Sequence, residues 1–161
     1  MELMEWLSIL LFAIGCTSLQ AQTPCPMCRK PIVPSRAVYA VFTVGGQSYR
    51  LTFRCIACAF HAAERWHPDR ALLRTRCVAT NRWVTLKWAD GRWLAEPVSV
   101  RLLLAPEVGG ECLNRHLVFA NPSVARRFLA RHPALKTFPL LPATQLPKVD
   151  HMAGTGRSEK P

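Results

Sequence analysis

The sequence predicts an α+β fold built from two similar ββα(β) halves, with a four-cysteine metal site at one end of the first half. Three observations predict it. Two β-favouring runs flank Gly45-Gly46 and lead into an apolar, helix-spaced stretch. Strands followed by a helix recur after residue 82. Two CxxC pairs, Cys25–Cys28 and Cys55–Cys58, bracket the first hairpin.

The elements follow in chain order. The apolar run "WLSILLFAIG" is shorter than the ~20 residues a spanning helix needs. It matches the ~7–15 residues of a secretory signal core. "AIGC" has the form of a lipoprotein cleavage box ending on Cys16, and "LQA" has the form of an ordinary cleavage site. Glu2 and Glu5 stand where such a signal is basic. Residues 1–21 are therefore expected to be a signal or lipoprotein segment. Lipidation at Cys16 would tether an exported, periplasmic or extracytoplasmic protein to a membrane. A buried N-terminal helix of a cytoplasmic protein is the competing reading.

Residues 22–141 are expected to form one metal-binding domain. A Pro-punctuated loop carries the first CxxC. "AVYAVFTV" and "QSYRLTF" form a hairpin over Gly45-Gly46. A helix over "IACAFHAAERW" follows and is stopped by "HPD". "RWVTLK" reads as a strand, "ADGR" as a turn, and "VSVRLLL" and "HLVFA" as extended segments. Asn121 caps a helix whose first residue is Pro122. A short strand is expected at residues 137–141. Residues 142–161, rich in Pro, Gly, Thr and charge, are expected to be a disordered tail.

The chain has 161 residues and a net charge of +11. Its arginines fall into two groups, Arg65, Arg70, Arg74 and Arg76, and Arg115, Arg126, Arg127 and Arg131. Such a face is drawn to anionic lipid or nucleic acid, or is simply solvated. Asp and Glu together number only 10, and no Ser-His-Asp set, phosphate loop or paired acids stand out. A non-enzymatic protein without a small-molecule substrate is therefore expected. A thiol oxidoreductase is a minor alternative.

The seven cysteines carry the chemistry. Two CxxC pairs brought together by a hairpin make a tetrahedral site of four thiolates, Cys25, Cys28, Cys55 and Cys58, suited to zinc. Copper(I) is the rival ion, because soft thiolates select it. The spacer between the pairs exceeds the roughly 15–20 residues of a zinc ribbon, but loop-closure cost grows slowly with length. Disulfides are the alternative in an oxidising compartment. Cys77 and Cys112 are candidates for a disulfide or, with His116 four residues after Cys112, for a secondary metal site. His61 is a possible alternate ligand.

"CPMCRKPI", "AVYAVFTVGGQSYRLTF" and "CIAC" together resemble the TRASH or YHS heavy-metal modules. From Cys25 to about Leu141 the order of motifs resembles NosL, the copper accessory lipoprotein family of nitrous-oxide reductase. The matching stretches are "AIGC", "CPMCRK", "VGGQSYRLTF", "WADGRWLAEP", "PEVGG" and "LVFANPSVARRF". The resemblance implies a two-part ββαβ fold, a lipid anchor and one Cu(I) passed to a partner metalloenzyme. Lys30 and Val108 replace that family's methionines, and Cys55 and Cys58 are added. Four thiolates suit a structural zinc better than a shuttled copper. The combined expectation is a metal-binding accessory or metallochaperone-type lipoprotein. The alternative is a zinc-stabilised module that docks nucleic acid or an acidic partner through arginine, which the export signal disfavours.

Overall fold

A computed structural model describes residues 23–106 and 112–146. Cys16, the leader segment, Val108 and residues 147–161 lie outside the described residues. Among the described residues the fold is α+β, with two sheets and two α-helices.

β1 (Val38–Val44) and β2 (Gln47–Phe53) pair from Val38↔Phe53 to Val44↔Gln47. That register leaves Gly45 and Gly46 as a two-residue turn with φ of 55° and 81°. Both central residues of a type I′ turn need positive φ, which is why glycine occupies them. β2 ends at Phe53, and α1 (Ile56–Trp66) starts almost at once. The helix ends at His67, whose backbone is left-handed and whose N–H bonds the Ala63 carbonyl at 2.9 Å.

Arg70–Arg76 then forms β3, antiparallel to β1. The sequence reading counted these arginines only as charge. In the structure Ala71, Leu73 and Thr75 point inward, while Arg70, Leu72 and Arg74 face out. β4 (Trp83–Ala89) and β5 (Arg92–Glu96) form a second hairpin over Asp90-Gly91. The first sheet runs β2-β1-β3-β4-β5. The β4–β5 hairpin therefore belongs to the first sheet, not to the second half in which the sequence reading placed it. It joins that sheet because β4 pairs antiparallel with β3, the strand directly before it.

β6 (Arg101–Leu104), β7 (His116–Phe119), α2 (Pro122–Ala130) and β8 (Leu140–Pro142) follow. The second sheet runs β7-β6-β8. Its plan repeats that of β2-β1-β3. In each half the first strand is central, its hairpin partner lies on one side, and the antiparallel strand after the helix lies on the other. Ala143–Gln145 form a 3-10 turn, with Ala143 and Leu146 buried. Among the described residues no helix is long and apolar enough to cross a membrane.

α1 joins the halves. It buries Ile56, Ala57, Cys58, Ala59, Phe60, Ala62 and Ala63, and packs on β1, β2, β3 and also β7. Four alanines on those faces let sheets approach from more than one side. Phe42, Phe53, Leu73, Leu86, Leu102, Leu103 and Phe119 fill the core and are fully buried. Each large apolar side chain so placed contributes about 1.5–3 kcal/mol. Docking α1 against β7 brings the start of the helix to the start of the strand, where the thiols meet.

Candidate metal centre

Cys55 leaves β2 and becomes the N-cap of α1, with extended φ and ψ of −150° and 170°. Cys58 lies three residues on, in the first turn, on the same helix face. The two sulfurs are 3.6 Å apart. Cys112 sits in the turn before β7, where its carbonyl accepts from the N–H groups of Arg115 (3.2 Å) and His116 (3.0 Å). His116 opens β7 and places Nδ1 3.6 Å from the Cys55 sulfur.

The first CxxC lies on a tight loop. Cys25 N–H bonds the Lys30 carbonyl and Arg29 N–H bonds the Cys25 carbonyl, both at 2.9 Å. Arg29 takes the left-handed conformation (φ 61°) that such a turn requires. Arg54, directly before Cys55, ties this loop to the helix start: its Nη1 donates to the Pro31 carbonyl at 2.6 Å. Arg54 is 9% exposed, and its Nε has no partner among the described residues.

Two groups of mutually close ligand atoms result. Cys25, Cys28 and Cys58 form one, and Cys55, Cys58 and Cys112 form the other; within each, all sulfurs lie within 4.8 Å. The expected four-sulfur set thus takes part in two overlapping triads that share Cys58. Cys112 and His116, the secondary candidates, stand beside Cys55. Cys77 is buried outside both groups, with its N–H bonded to the Arg82 carbonyl. All six described cysteines are free thiols. His61 is exposed on α1. Arg54 is the residue the sequence reading missed; the available signal was an arginine directly preceding a CxxC at a strand end.

The protons are distributed unequally. The Cys58 thiol hydrogen-bonds the Cys55 sulfur, and this contact, with His116 as hydrogen-bond partner and charge, outweighs burial and holds Cys55 at about 4. The start of α1 adds the field of unpaired backbone N–H groups, the usual setting of a low-pKa cysteine. Cys58 is pushed up, first because it donates to Cys55, then by burial and by the neighbouring sulfurs. Cys112 is pushed up to about 12 by burial and by the Cys55 charge, with Arg54 pulling the other way. At Cys25, burial works upward, but the backbone N–H groups of Cys28, Arg54 and Met27 outweigh it and hold the thiol below its ordinary value. The site therefore combines one ready thiolate with two thiols that keep their protons.

No family model matches the chain, and no curated protein matches it. Among solved structures the fold is similar to that of the mercury-bound form of MerB2. The TM-score is 0.55 at 13% identity, over 88% of this chain and 68% of that chain. MerB is an enzyme, an organomercurial lyase, so the expectation of a non-enzymatic protein is withdrawn; at 13% identity the likeness shows the fold, not the activity, of this chain. The physical reason for the error is visible in the site. The sequence shows no paired acids and no serine triad, and its CxxC spacing fits a closed four-thiolate site. The fold instead sets a thiolate beside protonated thiols, a pairing fit for nucleophile and acid. The thiol clusters and the mercury-bound neighbour together point to metal binding.

Proposed function

We propose that this chain is a thiol-dependent enzyme that takes an organomercury compound at Cys55, Cys58 and Cys112 and cleaves its carbon–mercury bond. The observation that carries the reading is the triad itself: three sulfurs within 4.8 Å of one another at the start of a buried helix. Soft thiolates select soft ions, and the fold's likeness to a mercury-bound structure supports the choice of ion.

The step follows from the proton positions. The Cys55 thiolate forms a sulfur–mercury bond and displaces the weak ligand opposite carbon. Cys112 then delivers its proton to the carbon. The carbon–mercury bonding pair stays with carbon and forms the new C–H bond. Mercury remains in the +2 state, held by the sulfurs of Cys55 and Cys112. Cys58 holds a proton against Cys55 and lies in reach as a third sulfur. Arg54 beside Cys112 favours the thiolate that forms there.

Single turnover with phenylmercury tests the reading. The reduced protein should release one benzene per chain. Cys55→Ser and Cys112→Ser should each lower the rate at least about a hundredfold, the loss typical of removing a general acid or a nucleophile. Unchanged benzene release in either variant would overturn it. Zinc and copper(I), the ions expected from sequence, compete for the same sulfurs, and metal analysis of the purified protein shows whether they do. Export with lipidation at Cys16 is part of the proposal on sequence grounds alone; cell fractionation and the mass of the mature N-terminus check it.

A further inference from the structure

The cleavage step leaves two of the five clustered thiols unused. Cys25 and Cys28 form their own triad with Cys58, and Cys58 is common to both triads. Exposure orders the five cysteines. Cys25, Cys55, Cys58 and Cys112 are 0%, 2%, 7% and 1% exposed, whereas Cys28 is only half-buried. Cys28 is thus the member of the cluster nearest to solvent. A cavity of about 20 Å³ adjoins Cys55 and His116, room for about one water. A soft ion on Cys55 and Cys112 that left through that space would exchange sulfur for water, which its ligand preference opposes.

The loop that carries Cys25 and Cys28 is fixed in place beside Cys58. The Cys25 N–H bonds the Lys30 carbonyl and the Arg29 N–H bonds the Cys25 carbonyl, both at 2.9 Å, which fixes Cys25 and Cys28 on one tight turn. The Arg54 side chain ties the same loop to the helix start. Its buried, unpartnered Nε adds cationic character to the space around the sulfurs.

The geometry points to Cys25, Cys28 and Cys58 as a second soft-metal site, which takes the ion from the Cys55–Cys58–Cys112 triad through the shared Cys58 and presents it to an outside thiol acceptor at Cys28. The cargo, mercury(II), rests on the proposed function; the relay itself does not need the cleavage step. Each transfer forms one sulfur–mercury bond and breaks one. The proton of the incoming thiol passes to the outgoing thiolate, and mercury stays in the +2 state. Cys58 enters first and Cys112 leaves; Cys25 or Cys28 then enters and Cys55 leaves.

The full chain, reduced and loaded with one equivalent of inorganic mercury(II), is mixed with a dithiol acceptor, and the rate of mercury transfer is followed. Cys28→Ser and Cys25→Ser/Cys28→Ser should slow the transfer at least tenfold while one equivalent still binds. Single-turnover benzene release in the same variants should match the wild type. If the double variant does not fold, Cys28→Ser alone decides the question. Wild-type transfer rates in Cys28→Ser would overturn the relay. Inorganic mercury bypasses cleavage, so loss of benzene release with transfer intact would sink the proposed function and leave the relay standing.

Discussion

Cys55 owes its charge to three neighbours that converge on one sulfur: the Cys58 thiol, the His116 ring and the start of α1. A cysteine held at about 4, against an ordinary 9.0, stays ionised across the neutral range and takes up a proton only as the pH falls through about 4. Ultraviolet thiolate absorbance should therefore show one thiolate at pH 6 that Cys55→Ser removes. His116→Ala takes away a hydrogen bond and an electrostatic contact that favour the thiolate, so the midpoint should move up from about 4. A wild-type midpoint already near 9.0 would contradict this. Part of the arrangement was legible in the sequence. The CxxC spacing marked Cys55 and Cys58, and the four-residue spacing marked Cys112 and His116. That the second pair meets the first was not legible, because His116 is 61 residues from Cys55 and only tertiary packing joins them. Arg54 went unread because an arginine is ordinarily exposed.

At the scale of elements, the site depends on how β2 hands over to α1. Phe53 is fully buried at the end of β2, immediately before Arg54 and Cys55. Phe53→Ala should cost about 3–5 kcal/mol by denaturant unfolding and should also weaken mercury binding, since the helix start loses its anchor. Asn121 offers a contrast. Its side chain caps α2 by accepting from Val124 N–H at 2.9 Å. Asn121→Ala should cost about 0.5–2 kcal/mol and leave mercury affinity within about twofold, as expected for independent sites. Equal losses of affinity in the two variants would deny α1 its special role. The first hairpin, α1 and the capped α2 were readable because turn glycines, apolar periodicity and an Asn-Pro start are local signals. β3 was not, because apolar Leu72 faces out and polar Thr75 faces in, which breaks its polar–apolar alternation. The placement of β4 and β5 was not, because both hang on β3, the strand that the pattern concealed.

At the scale of the molecule, two ββαβ units meet along α1, and the thiols lie on that seam. The first unit supplies Cys25, Cys28, Cys55 and Cys58, and the second supplies Cys112 and His116. A metal bound by both would hold the halves together, so loading should raise the unfolding temperature as any ligand of the native state does. Cys112→Ser should lose most of that rise. The central claim is that the seam is a sulfur site for a soft ion. X-ray absorption at the mercury edge, on protein carrying one mercury(II) per chain, tests it most directly. The account predicts coordination by sulfur alone, with a changed shell when Cys55 or Cys112 becomes serine in protein whose Cys25 and Cys28 are already serine. Light-atom ligands in the wild type, or a sulfur shell indifferent to both substitutions, would contradict it.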